Sequence, residues 1–140
     1  RAGSTKVLHL HGEATKVRPE DGEYDRSYSE KEVIDIGYDE VHLGDKAPNG
    51  SQLRPHIVFF GEAVPNIEKA IDIVSAADIL LIVGTSLNVY PAAGLYRYAP
   101  NGIPIYLIDP EDVAIADPRI TQIRQVATKG METFRRMLGQ

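Results

Sequence analysis

The segment Ile79-Leu80-Leu81-Ile82-Val83-Gly84-Thr85-Ser86 decides the fold, because five consecutive apolar residues run directly into a glycine and two hydroxyl side chains. A run of this length suits a strand that is buried on both faces, as in a parallel sheet. Gly84 would end the strand, and Thr85 and Ser86 would follow at its carboxyl end. Open α/β sheets bind ligands at this end of their strands.

Strands and helices alternate on both sides of this segment. Further strands are predicted over the apolar or alternating runs at residues 5–11, 57–60, 103–108 and 123–127. Helical spacing of apolar residues predicts a helix opened by Pro65, a short one from Pro91 and a last one around Phe134. The predicted fold class is therefore α/β, with part of a Rossmann-like parallel sheet and flanking helices.

A small polar insert interrupts this pattern at residues 14–52. Residues 20–45 hold ten acids and two bases, a composition typical of a solvated, mobile stretch or of a docking surface for basic partners. The predicted domains are a partial Rossmann-like domain at residues 1–13 and 53–140, and the insert at 14–52.

Composition limits the compartments and partners. The 140 residues include no cysteine, which excludes disulfides and thiolate zinc sites and fits a reducing compartment, here expected to be the cytoplasm. No apolar run approaches the ~20 residues of a membrane span, so no membrane partner is expected. A net charge of −5 argues against general nucleic-acid binding. The chain begins without a methionine or a signal-peptide pattern, and we expect it to be part of a longer protein.

The histidines near the start of the chain offer two kinds of chemistry. His11 precedes Gly12 and is the best candidate for a general base, because histidine titrates near neutrality. It could equally be a hydrogen-bonded histidine at a strand end. His9 and His11 would share a strand face and could bind a metal with His56 or an acid as third ligand, as in a metal-dependent hydrolase.

Two strand ends could bind a nucleotide. Gly84 lets a ligand approach the backbone, and Asp109 follows another predicted strand about 25 residues later, near the offset seen in dinucleotide folds. The alternative is a tight turn in which Thr85 or Ser86 satisfies backbone groups. No G-x-G-x-x-G loop is present in the sequence. A non-catalytic nucleotide- or peptide-binding module stays open on these residues alone.

The run at residues 57–60 could pair with an extended peptide, in which case main-chain hydrogen bonds would give affinity. Phe59 and Phe60 would point to opposite faces, so that one could line a pocket and the other the core. The segment Asn88-Val89-Tyr90 could form a facing wall. A plain core strand is the alternative.

Taken together, these segments resemble sirtuins of bacterial type, the NAD-dependent protein lysine deacylases. The matching motifs are Leu10-His11-Gly12, Arg54-Pro55-His56 with Phe60-Gly61-Glu62, and Gly84-Thr85-Ser86 with Val89 and Pro91-Ala92. The strand that ends at Asp109 resembles the family's ribose-contacting strand, although many members have asparagine there. Ala127-Thr128 lies where the family contacts adenine.

The resemblance implies a reaction and a set of roles. NAD would be the cofactor, an acyl-lysine protein or peptide the substrate, and nicotinamide and O-acyl-ADP-ribose the products. His11 would act as general base on a ribose hydroxyl. The implied cofactor-binding residues are Gly84, Thr85, Ser86, Asp109 and Ala127. The implied substrate-binding residues are Val58, Phe60, Gly61, Glu62, Val89 and Tyr90.

Two departures from the family pattern shape the expectations. Many sirtuins hold a structural zinc through two cysteine pairs, whereas the cysteine-free insert here predicts no zinc and packing around Ile34, Ile36 and Tyr38. The amino-terminal half of the family, with its phosphate-binding loop, has no counterpart in this sequence. We therefore expect the 140-residue chain to be inactive by itself, and its exposed strand edges to favour self-association.

Overall fold

The computed structural model describes residues 3–20 and 32–139, which form two compact units with a boundary between Asn66 and Ile67. The elements in chain order are β1 (Gly12–Pro19), β2 (Ile34–Asp35), β3 (Leu53–Ile57), α1 (Ile67–Ser75), β4 (Leu80–Val83), a 3₁₀ helix (Ala92–Tyr98), β5 (Ile105–Ile108), β6 (Ile120–Ile123) and α2 (Ala127–Met137). None of the helices in the described ranges is long and apolar enough to cross a membrane.

The first unit is built on an antiparallel sheet in the order β2-β1-β3. β1 and β3 pair from Gly12 opposite Ile57 to Pro19 opposite Leu53, with a register shift between Glu13 and Val17. β3 is an edge strand of this sheet, which explains how Pro55 can lie inside it, since proline donates no ladder hydrogen bond. Strand pairing here follows backbone geometry more than an apolar pattern.

Polar contacts hold the loop that precedes β3. The Gln52 side chain accepts a hydrogen bond from the Gly44 amide at 2.7 Å and donates to the His42 carbonyl at 2.9 Å. The expected apolar packing around Ile34, Ile36 and Tyr38 is wrong, because Ile34 is exposed and Tyr38 is 99% exposed. Much of the acidic stretch, at residues 21–31, lies outside the described residues.

The second unit contains a parallel sheet in the order β4-β5-β6. The central strand β5 supplies the deepest core, since Ile105, Leu107 and Ile108 are fully buried. β-Branched and aliphatic side chains favour such a strand because both of its faces are covered. This unit confirms the predicted α/β class with a parallel sheet and flanking helices.

Helix α2 packs against this sheet through its small and aromatic residues. Phe134 meets the Tyr106 ring edge to face, with ring centroids 5.0 Å apart. At Gly130 a Cβ atom would collide with the Ile108 side chain, so only glycine allows the helix to come this close. Helix α1 turns Ile67, Ala70, Ile71 and Val74 inward as predicted, while its polar residues are exposed.

Three predicted strands are misplaced. Residues 5–11 form no strand, because alternation alone is insufficient and this segment pairs with no strand of the described residues. The strand predicted at 57–60 ends at Ile57, and that predicted at 123–127 ends at Ile123, with Ala127 beginning α2. The strands at 79–83 and 103–108 and the two helices opened by Pro65 and Pro91 are confirmed. The division into residues 1–13 with 53–140, and 14–52, stays a prediction.

Candidate active site

The carboxyl ends of the three parallel strands lie along one edge of the second unit. Val83 is paired with Ile108, and Ile108 is paired with Ile123, so the strands end level with one another. Gly84 and Asp109, which directly follow two of these strands, therefore lie at the same edge, and the turn after Ile123 leads to α2. Three predicted cofactor segments thus come together where α/β sheets bind ligands.

The turn after β4 leaves its backbone accessible. Gly84 has a φ of +65° and donates its amide to the Ile108 carbonyl at 2.9 Å, while no atom lies within 4 Å of where its Cβ would be. The Thr85 hydroxyl accepts a hydrogen bond from the Leu87 amide at 3.1 Å. Thr85 thus supports the turn itself, as one alternative proposed, while the exposed Ser86 is the hydroxyl turned toward solvent.

Asp109 and Ala127 complete this edge. One carboxylate oxygen of Asp109 accepts the Glu111 amide at 2.9 Å, and the Asp109 amide donates to the Ile123 carbonyl. These bonds fix the carboxylate at the strand end, where it can accept hydrogen bonds from ribose hydroxyls. Ala127 is exposed at the first turn of α2 and adds no polar group. The residues present fit the adenosine end of a dinucleotide.

In the first unit, His11 precedes β1 with an exposed side chain. Its carbonyl accepts a hydrogen bond from the Val58 amide at 2.9 Å, which joins the predicted base to the predicted substrate segment. Gly12 has a φ of +89°, and a Cβ there would collide with the His56 carbonyl oxygen. Glycine is therefore required for the close approach of the β3 backbone, a reason that the sequence interpretation missed.

The described residues offer no set of ligands for the metal ion that the hydrolase alternative requires. The imidazole of His9 lies 3.3 Å from the Glu13 carboxylate, and Glu13 also pairs with Lys16. The Glu13 pKa is lowered, chiefly by the hydrogen bond from Lys16. Across residues 3–20 and 32–139, no group of three or more potential ligands is arranged to hold a metal ion.

The loop at residues 58–62 carries most of the predicted substrate contacts. Phe60 is 92% exposed, and Gly61 takes a φ of +88° in a turn closed by the Glu62 amide and the Phe59 carbonyl. The Glu62 carboxylate is bound by the buried Arg54 instead of projecting into solvent. Burial raises the Glu62 pKa, but hydrogen bonds from Arg54 and the Phe59 amide outweigh this effect, and the pKa lies below its usual value.

The remaining predicted substrate residues, Val89 and Tyr90, are exposed on the second unit. Beside them lies a cavity of about 350 Å³. Its lining consists of Leu87, Asn88, Tyr90, Tyr96, Arg97, Ala114, Ile115 and Ala116. The lining is mostly polar, with the amide of Asn88, the phenols of Tyr90 and Tyr96 and the guanidinium of Arg97 beside smaller apolar side chains.

The structure therefore groups the predicted residues into two sets. His11, Val58, Phe60, Gly61 and Glu62 belong to the first unit. Gly84, Thr85, Ser86, Asp109, Ala127, Val89 and Tyr90 belong to the second. Their functional roles stay predictions. Arg54 was quoted as part of a family motif but was given no role, and its buried pairing with Glu62 becomes visible only in the fold.

Comparison with known proteins gives consistent matches. A profile of the Sir2 family matches residues 1–91. A curated NAD-dependent protein deacylase of Bacteroides thetaiotaomicron is 52% identical over 139 residues, covering 99% of this chain and 58% of the relative.

A solved Sir2 homologue in complex with ADP-ribose has a TM-score of 0.76 at 29% identity, covering 99% of this chain and 56% of that one. A Sir2 protein bound to a propionylated peptide has a TM-score of 0.71 at 27% identity, with 98% and 58% covered. The chain thus spans little more than half the length of these relatives.

Proposed function

The chain belongs to the Sir2 family, and on that premise we propose that the whole protein is an NAD-dependent protein lysine deacylase. It would remove acetyl or other acyl groups from lysines of protein or peptide substrates. The 52% identical relative that carries the name NAD-dependent protein deacylase supports this reaction. The structural observation that carries the proposal is the shared strand edge at which the Gly84 turn and the Asp109 carboxylate lie together.

The cofactor would be held by residues of the second unit. The open backbone at Gly84 and the Ser86 hydroxyl would approach the ligand, and Asp109 would accept hydrogen bonds from ribose hydroxyls. When bound, NAD supplies the ADP-ribose that takes the acyl group from lysine, with nicotinamide as the leaving group. The solved Sir2 homologue with ADP-ribose, similar over almost this entire chain, supports this assignment.

His11 would serve as the general base. Its exposed imidazole can accept a proton from a ribose hydroxyl, because histidine changes protonation near neutral pH. The backbone of His11 is fixed by the hydrogen bond from the Val58 amide and by the tight approach at Gly12. A fixed backbone limits the positions that the imidazole can reach, which favours proton transfer in one geometry.

The loop at residues 58–62 would receive the acyl-lysine. Val58 would offer backbone groups to the lysine amide, and the exposed Phe60 would line the path of the acyl chain. Val89 and Tyr90 would hold the peptide backbone in extended form, a mode in which main-chain hydrogen bonds give affinity. The solved Sir2 protein bound to a propionylated peptide supports this class of substrate.

A product analysis tests the proposal. The complete protein is incubated with an acetylated or propionylated peptide, with and without NAD, and the products are followed by mass spectrometry. We expect free lysine peptide, nicotinamide and O-acyl-ADP-ribose in equal amounts, and only when NAD is present. Deacylation without NAD, or deacylation abolished by a metal chelator, would instead support the hydrolase alternative. The cytoplasmic location and the self-association through strand edges stay predictions.

A further inference from the structure

A buried ion pair lies beneath the predicted substrate loop. Arg54, on β3, is only 8% exposed, and its two terminal nitrogens lie 2.5 and 3.2 Å from the two carboxylate oxygens of Glu62. Such a fork-to-fork contact fixes both side chains, because two parallel hydrogen bonds define the angle as well as the distance. The guanidinium of Arg18 lies 3.7 Å from the same carboxylate and adds a second positive charge.

The Arg54–Glu62 pair also contacts the beginning of the loop. One oxygen of Glu62 accepts the Phe59 amide at 2.9 Å, and the Arg54 guanidinium lies 4.3 Å from the centre of the Phe59 ring. The guanidinium also donates to the Ile57 carbonyl at 3.5 Å, where β3 ends. Both ends of the loop are therefore tied to one buried cation.

Apolar packing cannot give the loop its shape. Phe59 and Phe60 are both exposed, and Phe60 stands almost fully in solvent at the tip of the turn. An exposed loop of this kind loses its conformation readily unless specific contacts hold it. In the described residues two backbone hydrogen bonds, from the Val58 amide to the His11 carbonyl and from the Glu62 amide to the Phe59 carbonyl, act on the loop. The side-chain contacts that tie it to β3 come from the ion pair, so the position of Phe60 depends in part on Arg54 and Glu62.

We propose that Arg54 and Glu62 form a clamp that positions the loop at residues 58–62 to receive the acyl-lysine substrate. This proposal rests on the deacylase function proposed above and gives Glu62 a different role from direct contact with the peptide. The Glu62 side chain is only 12% exposed, and both of its oxygens already accept hydrogen bonds. Glu62 affects the substrate through the position of the loop, and Arg54 does so by holding Glu62.

Two mild substitutions test the clamp. Glu62→Gln keeps the size of the side chain but removes its charge, and Arg54→Lys keeps the charge but removes the planar fork. Lys16→Gln is the matched control, because it breaks an ion pair with Glu13 in the same unit and leaves the hydrogen bonds of Arg54 and Glu62 in place. Circular dichroism and thermal unfolding establish that each variant is folded before its kinetics are compared.

The kinetic readout separates the substrate loop from the cofactor site. We expect kcat/KM for the acyl-peptide to fall by about 100-fold in Glu62→Gln, since small misplacements near a reacting group are costly in rate. Arg54→Lys should lower kcat/KM by a smaller factor, because it keeps a positive charge beside Glu62. Affinity for ADP-ribose should change by less than about twofold, because its predicted ligands belong to the second unit. Lys16→Gln should match the unaltered protein in both measurements.

Hydrogen exchange gives a readout that does not depend on activity. We expect the amides of residues 59–62 to lose protection in Glu62→Gln and to keep it in Lys16→Gln. Unchanged protection, an unchanged peptide kcat/KM, or an equal loss of ADP-ribose affinity would overturn the clamp. If the unaltered protein released no nicotinamide with any acyl-peptide, the proposed function would fail, and the exchange result would still decide whether the clamp positions the loop.

Discussion

The two units of this chain are stabilised in different ways. In the second unit, β5 buries Ile105, Leu107 and Ile108, and aromatic rings of β5 and α2 pack against each other. In the first unit, the charged residues Arg18 and Arg54 are also buried, with 7% and 8% of their surface exposed. The second unit is organised by removing apolar surface from water, whereas the first unit also buries two guanidinium groups that pair with a carboxylate.

This difference coincides with the division between the predicted cofactor residues and the predicted substrate loop. Apolar packing in the second unit sets the level strand ends that gather the predicted cofactor residues. Ion pairs in the first unit hold the exposed loop at residues 58–62, which carries most of the predicted substrate contacts. Buried charge pairs contribute geometry more reliably than net stability, so the polar unit is suited to positioning and the apolar unit to support.

The largest effect is expected in the apolar unit. Ile108→Ala should lower the free energy of unfolding by about 2–5 kcal/mol, because it removes a fully buried side chain from the central strand and leaves a cavity. Denaturant titration measures the change. Ile73→Ala, at an exposed position of α1, is the control and should alter stability by less than about 0.5 kcal/mol. Equal effects of the two substitutions would contradict the claim that the second unit is stabilised by its apolar core.

Acid should weaken the polar unit through Glu62. Its pKa is lowered in the folded state, so its ionised form contributes stability that is present above the unfolded-state pKa and is lost as pH falls through the folded-state value. The free energy of unfolding should therefore decline below about pH 4.5, and it should decline less steeply in Glu62→Gln. Hydrogen exchange at residues 59–62 follows the change locally. Identical pH profiles of the two proteins would show that Glu62 is not the responsible group.

The smallest effect is expected at an exposed ion pair. Arg124 and Asp112 approach to 2.5 Å, as close as Arg54 and Glu62, but both side chains are more than half exposed. Asp112→Asn should change the free energy of unfolding by less than about 0.5 kcal/mol, because solvent screens surface pairs. Thermal unfolding of Asp112→Asn and of Glu62→Gln compares the loss of an exposed ion pair with the loss of a buried one at the same nitrogen–oxygen distance. A larger loss in Asp112→Asn would refute the role given to burial.

The same contrast explains what the sequence could predict. Continuous apolar runs predicted β4 and β5, and helical spacing predicted α1, because burial leaves a pattern in the order of residues. The strand β1 has no such pattern, since its apolar and polar residues do not alternate regularly, and all of it after Glu13 fell inside the predicted insert. Its pairing with β3 depends on backbone contacts that no periodicity records.

The candidate site shows the same limit. Gly84 and Asp109 follow predicted strands, so their position at one sheet edge could be foreseen. Arg54 and Glu62 are eight residues apart on either side of a loop, and only folding shows that they are partners. His11 could be singled out as a candidate base because it precedes Gly12, whereas its role on a ribose hydroxyl came from the family resemblance.

The most direct test of the deacylase account compares His11→Ala with the unaltered complete protein. With NAD and an acyl-peptide, kcat/KM should fall by about 10²–10⁴-fold, the usual contribution of a general base, while ADP-ribose binding measured by calorimetry stays unchanged. His42→Ala, an exposed histidine outside the site, should behave like the unaltered protein. Persistent formation of the free lysine peptide by His11→Ala would contradict the assignment of the base, and its loss together with ADP-ribose binding would show that His11 acts in binding instead.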